Sequence, residues 1–218
     1  MIQQGFVTPW SIFTPTIYRM MGRQYVDNFF SSGELMISSF ARFSKHVDEE
    51  RKDEEGKHII CGQGTKATVF AVTGHGGDAY VLCGSLVKDP SLMDSFGCDS
   101  AIEIYDPTGF ASMVSRHILG VRQGFEGFCC YKDGPIECKI GDFELEQLRS
   151  QSSGENLDLN RLGGFVLNMA GNAVFFQKKL SFRHQCEYRW VWITDHPVSE
   201  SVVIKVPDAR QFCAPYHR

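Results

Sequence analysis

Residues 187–193 (EYRWVWI) alternate aromatic with other side chains at period two, the pattern of a β-strand. This run commits the chain to a sheet, and shorter runs supply its other strands. Residues 34–40, 66–72, 79–85, 100–105, 125–132, 136–140 and 202–206 all read as strands, the last being the final one. Between 66–72 and 79–85 lies the Gly-rich stretch 73–78, which predicts a hairpin. No helix follows those glycines, so a phosphate-cradling loop is not expected there.

Helices are few. In 17–30 (IYRMMGRQYVDNFF) the second half has helical spacing, with Tyr25 and Phe29 expected in the core. Gly33 follows as a C-terminal cap, so the opening reads strand or turn, helix, Gly stop, strand. Asp89-Pro90-Ser91 opens a turn or short helix, and Thr108 is expected to cap a helix over 109–117. Asp133-Gly134-Pro135 is a turn after which 136–140 returns beside 125–132; 150–156 is a loop; 165–176 fits helix or strand. Residues 45–58 hold six acidic and four basic side chains and read as a solvated helix or loop rather than a calcium loop. The sum is an α+β domain with a mostly antiparallel, decorated sheet.

At 218 residues the expectation is a single domain, 1–218. With 43% apolar residues, 22% charged residues and 17 phenylalanines, the chain can build a sizeable core and is not a disordered tail or a coiled coil. Its net charge of −4 argues against broad, non-specific nucleic-acid binding, though not against a local basic groove. The first ten residues, MIQQGFVTPW, have no basic-then-apolar signal pattern, and no stretch approaches a membrane span; a cytoplasmic chain is expected. Its eight cysteines are then reduced. None form a CxxC pair, so buried thiols are expected rather than a zinc site or any other metal.

The chemistry concentrates in 175–192, FFQKKLSFRHQCEYRWVW. If Gln185 and Glu187 share a strand, they share a face. A carboxylate there can bind a ribose hydroxyl and stabilise positive charge developing on a sugar, and the amide can orient an acceptor. The alternative is an edge strand with Glu187 paired to Arg183 or Arg189. Arg19 can clamp a pyrophosphate, with a surface ion pair as its alternative. Ser38 and Ser39 can brace a ribose, or simply form a strand's polar face. Tyr18 can stack on a flat ring. His184 is dispensable as a base when a glutamate serves. Trp10, Trp190 and Trp192 are expected in the core. Lys178, Lys179, Arg183 and Arg189 gather around Gln185 and Glu187 as a basic rim suited to a phosphate backbone. No HExxH or GxSxG occurs, so metallohydrolase and serine-hydrolase chemistry are not expected.

The order of an early arginine, a strand serine and Gln-x-Glu opening a late strand resembles the Arg–Ser–Glu class of mono-ADP-ribosyltransferases. That resemblance implies a split, mostly antiparallel sheet of ADP-ribosyltransferase type with helical decorations, and NAD as co-substrate without a metal. It implies NAD held by Arg19 with Tyr18, a serine brace at Ser38 or Ser39, catalysis by Glu187, and acceptor choice by Gln185. The family pattern is Ser-Thr-Ser, from which Ile37-Ser38-Ser39 departs. Three segments, in 25–56, 91–106 and 179–190, further resemble domains of prophage and defence loci, including toxins of toxin–antitoxin–chaperone systems that modify messenger RNA. This implies an anti-phage toxin acting on RNA, slightly favoured over protein, with an antitoxin and a chaperone as partners and no membrane. The other readings are a non-catalytic interaction module of a defence locus and, below it, a nuclease-like effector.

Overall fold

The computed structural model describes residues 14–43, 57–63, 68–74, 76–134, 136–139 and 171–218. The acidic segment up to residue 56, the 150–156 loop, Trp10 and residues 165–170 lie outside them. Thirteen strands and four short α-helices are described, and most strand pairs are antiparallel, so the chain is α+β.

The opening follows the pattern its residues dictate. Strand β1 (Ile17–Met21) leads to helix α1 (Arg23–Ser32). Gly33 ends the helix at φ 78°, its N–H donating to the Phe29 carbonyl at 2.8 Å, and β2 (Glu34–Ser39) begins. The left-handed conformation costs glycine nothing. Val26 and Phe29, three apart, turn to the core, whereas Tyr25 is 63% exposed and not a core residue. A short helix, α2 (Phe40–Phe43), takes Phe40 out of the strand.

β5 (Ala79–Ser85) organises the main sheet. Along one edge it pairs throughout with β11 (Glu187–Thr194), from Ala79↔Ile193 to Ser85↔Glu187, and β11 pairs in turn with β7 (Val121–Phe128). The other edge of β5 forks. Tyr80 and Val81 pair with Ser39 and Ser38 of β2, which continues to β12 (Val202–Lys205); Ser85 pairs with Tyr18 of β1, which continues to β6 (Ser100–Ile104) and β13 (Cys213–His217). β13 is therefore the last strand. It is disguised by Pro215, which an edge strand tolerates because its N–H need not join a ladder.

The hairpin expected across 73–78 does not form. β4 (Thr68–Gly74) pairs with β3 (Lys57–Gln63), and β3 pairs in parallel with β9 (Ile136–Lys139) in a separate three-stranded sheet. So β9 does not return beside β7 either. Local turn chemistry names the bend but not the partner. Helix α3 (Pro90–Ser95) starts at Asp89, whose carboxylate accepts from the Ser91 N–H at 2.8 Å. The cap of α4 (Pro107–Ser115) is Asp106, accepting from Gly109 N–H at 2.9 Å, and not Thr108, which bonds Glu126. Pro107 at the first helical position leaves the cap to the residue before it.

β11 lies between two strands and is buried on both sides. Tyr188, Trp190 and Trp192 enter the larger core with Ile17, Phe29, Leu82, Ile102, Ile104 and Phe110. On the opposite face Val191 joins Phe40, Ala79, Val81, Val174 and Phe175. Gly84 sits where β1 comes closest: a Cβ there would lie 2.5 Å from Ile17 Cγ2. Ile17 is fully buried and stiff about χ1, so it cannot yield. Gly84→Ala is expected to destabilise by about 1–3 kcal/mol, the range for overpacking. A chemical-denaturation midpoint matching wild type would show that β1 shifts freely.

Candidate active site

The fork in the sheet determines what Arg19 does. Where β2 has left the β5 edge and β1 has just met it, the Cys83 carbonyl accepts from Arg19 Nη1 at 2.9 Å. A side-chain donor thus serves a backbone acceptor at the point where the ladder changes partner. Across the sheet Tyr18, Ser85 and Glu187 form one cross-strand row. Ser85 is buried, donates to the Gln185 carbonyl at 2.8 Å and accepts from the Val87 N–H at 3.1 Å.

Glu187 is 7% exposed. Oε1 accepts from Arg189 Nε at 2.5 Å, and Oε2 accepts from Lys178 Nζ at 2.5 Å. Lys178, 5% exposed, also donates to Gln185 Oε1 at 2.6 Å. Arg189 Nη1 donates to the Phe175 carbonyl at 2.9 Å. The Cys129 thiol lies 3.7 Å from Glu187 Oε1, and the Glu187 N–H donates to Tyr131 Oη at 2.6 Å. Burial pushes the Glu187 carboxyl up, but Arg189 and then Lys178 more than offset it and hold the group well below the ordinary carboxylate range. Glu187 is therefore an anion throughout the physiological range. Burial, followed by the Glu187 charge, raises the Cys83 thiol, which also feels Arg189, Lys178 and Arg19. The thiol stays protonated among these charges and is no nucleophile.

Gln185 and Glu187 do converge, though not as neighbours on one strand. Gln185 ends a 3-10 helix (Leu180–Gln185), and Cys186 turns the chain at φ 44°, ψ 50° before β11 begins. That left-handed residue points both side chains at Lys178. Ser38 and Ser39 sit elsewhere. Their register partners, Val81 and Tyr80, are four and five residues along β5 from Ser85, a separation of about 13–16 Å at strand rise. Ser38 Oγ accepts from Ser201 at 3.1 Å, and Ser39 Oγ accepts from the Arg42 N–H at 3.3 Å. Tyr18 lies beneath the Lys88 ammonium, 5.5 Å from its ring centroid, with Tyr216 at 4.3 Å from the same nitrogen and Glu103 at 2.7 Å.

Two site residues escape sequence reasoning. Ser85 closes the run AYVLCGS, but only the register of three strands reveals that it lies between Arg19's strand and Glu187. Lys178 reads as half of a basic pair, and nothing local separates the buried lysine from exposed Lys179. The expected rim is corrected accordingly: Lys178 and Arg189 are buried against Glu187, and only Lys179 and Arg183 face solvent. His184 is exposed, its Nδ1 3.0 Å from the Ser181 carbonyl.

Among the described residues no group of three or more His, Cys, Asp or Glu side chains is placed to hold a metal, and no helix is long and apolar enough to cross a membrane. No protein-family model, characterised protein or solved structure matches this chain.

Proposed function

We propose that this chain is an NAD-dependent mono-ADP-ribosyltransferase whose sheet is of the split type that its Arg–Ser–Glu order implies. The observation that carries the reading is the row Tyr18–Ser85–Glu187 at the place where the β5 edge forks, with Arg19 next to Tyr18 on β1 and its Nη1 on the Cys83 carbonyl in the fork. Arginine, serine and glutamate thus stand on three adjacent strands. The bracing serine in this reading is Ser85, in place of Ser38 or Ser39.

The donor set suits a dinucleotide. Arg19 supplies a guanidinium for a pyrophosphate, Tyr18 an aromatic face, and Ser85 a hydroxyl. NAD supplies a glycosidic bond to nicotinamide, a good leaving group. Glu187, kept ionised by Arg189 and Lys178, stabilises positive charge developing on the ribose, and Gln185 orients the acceptor. RNA is the preferred acceptor over protein, with exposed Lys179 and Arg183 as phosphate contacts. The resemblance to defence-locus toxins extends the proposal to an anti-phage role in the cytoplasm, with an antitoxin and a chaperone as partners.

A second reading, a non-catalytic module, is favoured by one observation: both Glu187 oxygens are already bound to cations. Nicotinamide release from NAD separates the two. The purified chain is expected to release nicotinamide and to transfer label from NAD to RNA. Glu187→Asp keeps the charge but draws it back from the row, and is expected to lose transfer by roughly 10²–10³-fold, as when one preorganised electrostatic contact is removed. Absence of nicotinamide release both from the folded wild-type chain and from a folded Lys178→Met variant, which uncovers one Glu187 oxygen, rejects the enzyme. Label appearing only on protein replaces the RNA acceptor.

A further inference from the structure

Glu187 cannot meet a substrate in the arrangement described, because its carboxylate is buried and each oxygen holds a cation. One of those cations belongs to β11 itself: Arg189 is two residues along the strand and is anchored to the Phe175 carbonyl. The other, Lys178, arrives from outside the main sheet, on residues 176–184. We propose that residues 176–184 form an autoinhibitory strap, in which the Lys178 ammonium occupies the position that a substrate's cationic sugar centre takes between Glu187 and Gln185. This inference rests on the transferase reading and assigns the regulation of that same site.

The strap has the anatomy of a hinged segment. At its start Val174 and Phe175 are fixed in the core against Phe40. At its end the chain is fixed again, the Gln185 carbonyl accepting from Ser85 Oγ at 2.8 Å and the Cys186 carbonyl from the Leu86 N–H at 2.9 Å. In between, Lys179, Leu180, Ser181, Arg183 and His184 face solvent. The body of the strap is tied to a small periphery. β10 (Gln177–Lys178) forms a two-residue parallel bridge with β8 (Cys130–Tyr131), Cys130 N–H donates to the Phe176 carbonyl, Lys132 N–H to the Lys178 carbonyl, and Leu180 N–H to Asp133. Phe176 packs against the smaller core, and the Lys178–Glu187 ion pair ties the strap to the main sheet. The Phe182 ring faces the Lys178 ammonium, which lies 4.9 Å from the ring centroid, a cation–π contact within the strap.

The chemistry of the occupant follows from the acceptors. Glu187 Oε2 and Gln185 Oε1 both point at one nitrogen, so the pocket they make selects positive charge. In the resting protein Lys178 satisfies it. A substrate whose sugar becomes cationic competes for the same two oxygens and gains access only as the strap leaves. Binding to the open form then shifts the population toward it.

The test uses the full chain and NAD itself as probe. Lys178→Met keeps length and removes the charge, and is expected to raise the rate of nicotinamide release at subsaturating NAD, on the order of tenfold, by lowering the fraction of closed strap. Lys178→Arg, which keeps the cation, is expected to show no such rise. Should Lys178→Met be slower than wild type and Lys178→Arg restore the rate, Lys178 assists the reaction and the strap proposal is overturned while the transferase stands. Since Lys178→Met leaves buried Glu187 with one cation fewer and can fail to fold, a second measurement uses the wild type. Acylation of Lys178 by a water-soluble ester, read by peptide mass, is expected to be negligible in the free protein and to rise at least severalfold with saturating NAD. Nicotinamide release with no change in Lys178 labelling overturns the strap alone. No nicotinamide from wild type or variant overturns both readings.

Discussion

Glu187→Gln is expected to cost about 3–5 kcal/mol of folding stability, the range for removing one member of a buried charge cluster. The variant keeps the size of the side chain but leaves Lys178 and Arg189 buried without the carboxylate that both contact at 2.5 Å. From the sequence alone, Glu187→Gln keeps size and hydrogen-bonding capacity and is expected to abolish transfer while leaving the fold nearly intact. Acid dependence gives the diagnostic. The Glu187 pKa is depressed in the folded chain, so its contribution is complete above the unfolded value near 4.5 and fades as pH falls through that value toward the lower folded one. Wild type should therefore lose stability steeply below about pH 4.5, and the Gln variant should show a flatter acid limb over the same interval. Urea titrations at a series of pH values measure both curves. Parallel acid limbs would show that the ion triad contributes nothing to the fold. The same experiment guards the functional test: a Gln variant that loses activity because it unfolds says nothing of chemistry, which is why Glu187→Asp carries that role.

Much of the architecture is legible in local pattern. The opening β1–α1–Gly33–β2 unit, the Asp89 helix start and the aromatic β11 follow from periodicity, cap chemistry and β-propensity, which act over a few residues. Pairing is not local. β4 and β5 look like a hairpin because both are apolar and a glycine cluster separates them, yet they enter different sheets. β13 escapes notice because Pro215 is read against a central strand when the strand is an edge.

The site shows the same division. Residue types at fixed spacing single out Glu187 and Gln185 as candidates, and the two side chains do converge on Lys178 even though Cys186 breaks the strand between them. What spacing cannot reveal is which distant residue fills the gap. Ser85 is 102 positions from Glu187 and directly opposite it, and Lys178 is buried while its neighbour Lys179 is solvated. Ser38 and Ser39, by contrast, meet β5 at its other end. Register sets these distances, and register depends on the whole sheet.

Trp190→Ala is expected to have a comparable effect on stability through a different cause. The side chain is fully buried, its ring 5.4 Å from Phe110 and 5.1 Å from Tyr188, and its Nε1–H donates to the Pro107 carbonyl at 3.2 Å. Truncation removes the aromatic contacts and the indole hydrogen bond and leaves a cavity, a combined cost of about 3–5 kcal/mol. Yet β11 alternates, so Trp190 faces the core while Glu187 and Arg189 face the other way. The loss should therefore fall on folding and spare the chemistry. In the cold, where enough of the variant remains folded, nicotinamide release per folded molecule is expected to match wild type even as the urea midpoint drops. A midpoint shift worth less than about 1 kcal/mol would mean the core collapses around the gap. A fall in turnover per folded molecule would mean that the two faces of β11 are mechanically coupled, and that the aromatic side of the strand helps to set the position of Glu187.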